Sequence, residues 1–69
     1  AICHAALVLA SAGILEGRRA TSWKGVRDDI ANAGADAVDE SVVVDGNLIT
    51  SRNPDDIPDF VDAIIRKLQ

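Results

Sequence analysis

The sequence predicts an α/β layered fold in which helices cover a sheet, with the element order helix, strand, helix, β-hairpin, helix. Three observations lead to this prediction. The segment after the N-terminus is almost wholly apolar, and the middle of the chain has two β-branched runs separated by Asp45-Gly46-Asn47. The last segment repeats its apolar residues at helical intervals. Such an alternation of helices and short strands is typical of a sheet covered by helices.

The first helix is predicted within residues 6–15, whose sequence is ALVLASAGIL. Its apolar residues fall on all sides of a helical wheel, which predicts a fully buried helix. Gly13 is placed to end it. After a turn, residues 18–22 form a strand candidate of weak β propensity.

The second helix is predicted from the spacing of Val26, Ile30 and Ala33, with Asp28 and Asp29 on the opposite face. Because one face is acidic, we expect this helix to be half exposed. Gly34 stands where a C-terminal cap would lie.

A β-hairpin is predicted from two apolar runs, residues 42–44 and 48–50, on either side of Asp45-Gly46-Asn47. The turn could be centred on Asp45-Gly46 or on Gly46-Asn47. Residues 37 and 38 precede the hairpin and are also predicted to be extended.

The last segment predicts an amphipathic helix. Its apolar positions are Ile57, Phe60, Val61, Ile64, Ile65 and Leu68. Pro58 suits the first turn of such a helix, where a backbone N–H is not needed, and Asp55 or Asp56 could cap it. The acidic pairs Asp28-Asp29 and Asp55-Asp56 are therefore interpreted as helix-start residues rather than as acid/base groups.

Composition excludes several classes of function. The 69 residues carry a net charge of −4, which argues against nucleic acid or an anionic membrane as a partner. No apolar run approaches the ~20 residues that span a bilayer. One cysteine and one histidine provide no spaced set of metal ligands, so neither a metal nor another cofactor is expected. A single cysteine is simplest to explain in a reducing, cytoplasmic setting.

The only cysteine and the only histidine are adjacent, in the stretch AICHA at residues 1–5. A nucleophile elbow, a sharp turn from strand to helix that exposes a reactive side chain, needs small neighbours two positions before and after the nucleophile. Ala1 and Ala5 meet that condition around Cys3. A helix start beside the sulfur favours the thiolate, and His4 could accept or deliver its proton. Alternatively, Cys3 is a small buried hydrophobe and His4 a polar residue at a helix start.

The order of motifs resembles the C-terminal part of the PfpI/ThiJ family, within the class I glutamine amidotransferase-like superfamily. The resemblance covers essentially the whole chain. It is carried by the Cys-His pair, GRRATS, the run VRDDIANAGADAVDE, and DGNLITSR followed by PDD. Two positions depart from the usual family pattern: Ala5 stands where Gly is usual after Cys-His, and Asn53 where Gly is usual after Ser-Arg. Asn is the residue other than Gly that most readily adopts a left-handed backbone.

The resemblance implies a flavodoxin-like three-layer sandwich, of which residues 1–69 are the C-terminal part of a single domain. It implies that Cys3 is the nucleophile, that His4 is its partner, and that the backbone N–H of His4 contributes to an oxyanion site. An acidic residue near the thiol would come from the N-terminal half, which we expect to lie outside this chain. Members of the family are described as intracellular cysteine peptidases and as glyoxalase III or deglycase-type enzymes.

Further expectations follow from the same resemblance. The substrate would be a small carbonyl compound or a peptide, and the protein would form a homo-oligomer, either a dimer or a hexamer. Trp23 would line the substrate site near its mouth. Arg52 would either brace the loop after the hairpin or reach the site. The alternative function is a redox-sensing or chaperone-like stress protein in which Cys3 oxidises without turnover.

Overall fold

The computed structural model describes all of residues 1–69, and it contains three α-helices and four short strands. The helices are α1 (Ala6–Ser11), α2 (Arg27–Asn32) and α3 (Ile57–Leu68). The strands are β1 (Arg19–Ala20), β2 (Asp36–Ala37), β3 (Val42–Asp45) and β4 (Leu48–Ser51). Short 3₁₀ turns precede each helix, at Cys3–Ala5, Lys24–Val26 and Pro54–Asp56. The predicted order of helix, strand, helix, hairpin and helix is confirmed.

The strands pair in two small sheets. β1 and β2 are parallel, with Arg19 opposite Asp36, and β3 and β4 form the antiparallel hairpin. Asp45 pairs with Leu48, so the turn of the hairpin consists of Gly46 and Asn47. Of the two predicted turn positions, the structure therefore has the one centred on Gly46-Asn47. Gly46 has φ of 61°, as the first position of a type II′ turn requires.

Side chains of the hairpin join the two sheets. The backbone N–H of Arg19 donates to Asp45 Oδ2 at 2.8 Å, and the N–H of Thr21 donates to Thr50 Oγ1 at 2.9 Å. Thr50 and Thr21 are fully buried, so the second bond satisfies a backbone donor that no neighbouring strand reaches. The hairpin is thereby fixed beside β1.

A small apolar core lies between α1, α2 and the strands. Its buried members are Ala6, Leu15, Ala20, Ile30, Ala35 and Leu48. As predicted, α2 buries one face through Ile30 and exposes its acidic face. Gly13 and Gly34 follow the ends of α1 and α2 with φ of 74° and 96°, as their predicted role as C-terminal caps requires.

The prediction that the first helix is buried on all sides is wrong for this chain. α1 ends at Ser11, and Leu15 is buried in the segment that follows it. Val8 is 68% exposed, and Leu7 is 36% exposed. The positions of the apolar residues correctly show that every face of α1 is apolar. The chain supplies packing partners for only one of these faces.

Asp56, one of the two predicted capping residues, stands at the N-cap position of α3, but its side chain makes no capping hydrogen bond. The side chain of Asn53 accepts the N–H of Asp55 at 3.0 Å, so Asn53 caps the 3₁₀ turn that leads into α3. Asn53 has φ of −162°, which is extended and not left-handed. The carboxylate of Asp56 is instead paired with Arg52.

Candidate functional site

Cys3 lies at a sharp turn between an extended segment and the first helix. Ile2 has φ of −132° and ψ of 150° and pairs in parallel with Ser51 of β4. The N–H of Ser51 donates to the Ala1 carbonyl at 3.0 Å. The backbone then reverses at Cys3, whose φ is 61°, and enters the 3₁₀ turn that leads into α1. The predicted geometry of a strand, a turn and a helix is therefore present.

Cys3 is the only residue other than glycine with a positive φ. A backbone of this kind crowds a Cβ atom and typically costs about 1–3 kcal/mol unless the surroundings impose it. Hydrogen bonds hold both sides of the turn. Trp23 N–H donates to the Cys3 carbonyl at 3.2 Å, and Ala5 N–H donates to the Ile2 carbonyl at 3.0 Å. Strain that is held in this way is common at functional sites.

Ala5, where the resemblance favours glycine, fits the turn without distortion. Its φ is −61° and its ψ is −21°, which is ordinary right-handed helical backbone, and its side chain is exposed. The methyl group of Ala5 therefore does not obstruct the elbow. The requirement for a small side chain is met by alanine as well as by glycine.

The cysteine and histidine side chains are in direct contact. Cys3 Sγ lies 3.2 Å from His4 Nδ1, and Cys3 is half-buried while His4 is exposed. The two atoms are close enough for a proton to pass between them. Neighbouring residues in a strand would point to opposite sides, so the turn at Cys3 is what brings these two groups together.

Trp23 stacks on His4. The ring centroids are 4.8 Å apart and the ring planes differ by 27°. Gly25 lies under the same indole: a Cβ atom at Gly25 would stand 1.8 Å from Trp23 Cζ3. The absence of a side chain at Gly25 therefore makes room for the ring that contacts the histidine. The structure brings all three predicted site residues, Cys3, His4 and Trp23, together.

Beside Trp23 lies a chain of charged groups that sequence reasoning did not find. Arg52 donates to Asp56 through Nε at 2.7 Å and through Nη2 at 3.1 Å, and its Nη1 donates to Asp39 at 3.0 Å. Arg27 Nη2 donates to the same Asp39 oxygen at 3.1 Å. The four-residue spacing of Arg52 and Asp56 is the one part of this network that the sequence signals. The loop-bracing interpretation of Arg52 is confirmed.

Electrostatics in this network follow from the arginines. The hydrogen bond from Arg52 lowers the pKa of Asp39, and the charge of Arg27 lowers it further. The hydrogen bonds of Arg52 lower the pKa of Asp56 in the same way, and the two carboxylates raise the pKa of Arg52. Asp39, Asp56 and Arg52 are therefore charged at neutral pH.

No group of three or more His, Cys, Asp or Glu side chains is placed to hold a metal ion. None of the three helices has both the length and the apolar character needed to cross a bilayer.

The arrangement described so far defines an α/β protein with a cysteine at a strand-to-helix elbow and a histidine in contact with its sulfur. The chain belongs to the DJ-1/PfpI family, whose sequence model matches residues 1–67. The family expected from the order of motifs is thereby confirmed.

Individual relatives agree with this assignment. An uncharacterized protein of Staphylococcus epidermidis is 55% identical over all 69 residues, which are 40% of its own length. A two-domain protein of Anabaena variabilis, with DJ-1/ThiJ/PfpI-like and ferritin-like domains, has a structure that matches 97% of this chain at a TM-score of 0.95 and 48% identity. The match covers 20% of the Anabaena chain.

A ThiJ/PfpI family protein of Pseudomonas syringae matches 97% of this chain and 28% of its own, at a TM-score of 0.88 and 36% identity. These likenesses confirm the flavodoxin-like α/β fold, of which this chain forms one part. The chain spans about two fifths of the length of its curated relatives, since 40% of the Staphylococcus protein is covered.

Proposed function

We propose that this chain carries the nucleophile of a cysteine-dependent enzyme of the PfpI type, acting on carbonyl compounds. The substrates are peptides or small glyoxals and their adducts. The observation that carries the proposal is the distance of 3.2 Å between Cys3 Sγ and His4 Nδ1. Cys3 itself has the strained φ of 61°. A strained elbow that presents a thiol to an imidazole is the arrangement that nucleophilic catalysis needs.

The first chemical step follows from that contact. His4 Nδ1 accepts the thiol proton of Cys3, and the sulfur attacks the carbonyl carbon of the substrate. A C–S bond forms while the π electrons of the C=O bond move to oxygen, which becomes an oxyanion. The oxyanion is stabilised by backbone N–H groups at the elbow, that of His4 among them. The proton on His4 then returns to the oxyanion or to a leaving nitrogen.

Trp23 forms one wall of this site in the proposal. Because its ring covers one face of His4, it limits the directions in which the imidazole can turn. It also shields the imidazole from water on that side. The role that the resemblance gave to Trp23, lining the site for substrate, is compatible with this position.

The acid of the site and the cover for the apolar faces are assigned to other parts of the native protein. Val8 of α1 and Val61 and Ile65 of α3 are exposed here, at 68%, 45% and 50%. A monomeric protein rarely leaves such apolar surfaces uncovered. We propose that the N-terminal half of the same domain covers α1. We also propose that the native protein is a dimer or a hexamer and that it is cytoplasmic.

Replacement of Cys3 tests the proposed function. In the native protein, Cys3→Ala and Cys3→Ser are each expected to lower kcat/KM for methylglyoxal or for a peptide by at least about 10³-fold. Circular dichroism of both variants serves as the control for folding. Full activity in a folded Cys3→Ala protein would disprove the proposal.

The redox-sensing alternative shares the half-buried free thiol of Cys3. Mass spectrometry after mild peroxide separates the two functions. A sensor gains oxygen on Cys3 at low peroxide dose and consumes neither methylglyoxal nor peptide. An enzyme consumes methylglyoxal or peptide while Cys3 is still unoxidised.

A further inference from the structure

A cleft of about 300 Å³ opens next to Trp23, on the chain of charged groups described above. It is lined by Trp23, Lys24, Arg27, Asp39, Arg52 and Asn53. Three of these side chains are cationic and one is anionic, whereas the whole chain carries a net charge of −4. Asp56, which pairs with Arg52, adds a second carboxylate, so the three cations exceed the carboxylates that they contact by one positive charge on an acidic protein.

Two cationic side chains of the cleft keep N–H groups that no ion pair uses. Arg52 is held by Asp56 on one side and by Asp39 on the other. Arg27 has Asp39 as its one ion-pair partner, and Lys24 makes no ion pair. A guanidinium carries five N–H donors and an ammonium three, so donors remain on both Arg27 and Lys24.

Asp39 keeps the two arginines side by side. Its Oδ1 accepts from Arg27 and from Arg52 at 3.1 and 3.0 Å. Because both guanidinium groups bond the same oxygen, their like charges are close together and would repel each other without the carboxylate. The carboxylate thereby fixes the position of Arg27 before any ligand arrives, and a fixed donor loses less freedom on binding.

Trp23 connects this cleft to the reactive pair. The same side chain lines the cleft and stacks on His4, and its backbone N–H bonds the Cys3 carbonyl. A ligand that occupies the cleft therefore lies against the residue that contacts the catalytic histidine. This adjacency fits a substrate that carries both a reactive carbonyl and a charged group.

We propose that the cleft binds a carboxylate of the substrate, held by Lys24 and Arg27, while the substrate carbonyl is presented to Cys3. The proposal rests on the proposed function for its second half, but the carboxylate site can be tested without it. It makes acidic carbonyl compounds the preferred class of substrate. Two sources share this chemistry: a small oxo acid such as glyoxylate, and the free C-terminal carboxylate of a peptide.

Lys24→Gln in the native protein tests the site, with Lys67→Gln as the matched control. Both lysines are exposed, neither makes an ion pair, and both replacements remove one positive charge. Lys67 lies on α3, away from the cleft. We expect Lys24→Gln to raise the ratio of KM for glyoxylate to KM for methylglyoxal by about 3- to 10-fold. Lys67→Gln should leave the ratio unchanged.

A second arm uses a tripeptide with a free C-terminus and its C-terminal amide. A Lys24-dependent preference for the acid in this pair, but not for glyoxylate, identifies the peptide as the source of the carboxylate, and the reverse identifies the small oxo acid. Equal ratios in wild type, Lys24→Gln and Lys67→Gln for both pairs would overturn the site.

Binding without turnover separates this inference from the proposed function. Calorimetric titration of the Cys3→Ala protein with glyoxylate, and with the free-acid tripeptide, is expected to show binding that weakens in Cys3→Ala/Lys24→Gln and with added salt. If that loss is seen while the wild type turns over no substrate, the site stands and the proposed function fails. If the wild type is active but the single and the double variant bind equally well, the site fails and the proposed function stands.

Discussion

The indole of Trp23 stacks on the imidazole of His4 at a centroid distance of 4.8 Å. This contact joins two segments that are far apart in the sequence, the elbow and the 3₁₀ turn before α2. It gives His4 a fixed neighbour on one side while Cys3 Sγ lies 3.2 Å from Nδ1. The orientation of the histidine is therefore set by both residues.

Removal of the stacking ring should affect turnover more than binding. We expect Trp23→Ala to lower kcat by about 10-fold, because a histidine that turns freely is less often aligned with the thiol. Trp23→Phe keeps an aromatic face and should retain most of kcat. Steady-state kinetics with methylglyoxal measure both parameters. A change in KM alone would show that Trp23 only lines the site.

Gly25 offers a way to displace Trp23 without replacing it. A Cβ at Gly25 would stand 1.8 Å from Trp23 Cζ3, so Gly25→Ala should push the indole off its position and lower kcat as Trp23→Ala does. The change should also lower the free energy of unfolding. In a Trp23→Ala background the same substitution meets no ring and should cost much less. Equal costs of Gly25→Ala in both backgrounds would contradict the packing described.

The core side chain of α2 should dominate its stability. Ile30 is fully buried, and Ile30→Ala is expected to lower the free energy of unfolding of the native protein by about 2–5 kcal/mol. Urea denaturation measures the change. A loss of less than about 1 kcal/mol would mean that this site collapses on substitution or that Ile30 is not in the core.

Exposure of α1 gives a test of what covers it in the native protein. Val8 is 68% exposed in this chain, and an exposed valine costs almost nothing to truncate. If the rest of the domain covers α1, Val8→Ala should lower the free energy of unfolding by about 1–3 kcal/mol. Urea denaturation with no measurable change would show that this face stays in water.

The carboxylates held by Arg52 predict a loss of stability in acid. Asp39 and Asp56 have pKa values below the ordinary 3.8, so the folded state binds fewer protons than the unfolded one. Their contribution is complete above about pH 5, declines as the pH falls below that, and is lost once the pH has fallen through their folded pKa values. Asp56→Asn should therefore reduce the steepness of the acid-side loss in melting temperature. An unchanged acid profile in Asp56→Asn would contradict the pairing with Arg52.

Local patterns were sufficient to predict most elements and the elbow. The hairpin, the half-exposed α2 and the glycine caps follow from spacing that involves near neighbours in the sequence. The small residues around Cys3 likewise signal the turn directly. These features depend on steric requirements that act within a few residues.

Features that depend on distant residues were missed. The helix period showed that α1 is apolar on every face, but it could not show which faces the chain would cover. The stacking of Trp23 on His4 and the pairing of Asp39 with Arg27 and Arg52 join residues that are far apart in the sequence, and no local pattern signals them. The N-cap position of Asp56 follows from the sequence, whereas the pairing of its carboxylate with Arg52 accompanies the lack of a capping hydrogen bond.

The central claim is that turnover passes through the sulfur of Cys3. It is tested most directly by treating the native protein with limiting iodoacetamide and measuring, in each sample, the residual activity and the alkylated fraction of Cys3 by peptide mass spectrometry. We expect activity to fall in proportion to alkylation of Cys3 and to reach zero when labelling is complete. Activity that persists with Cys3 fully alkylated would contradict it.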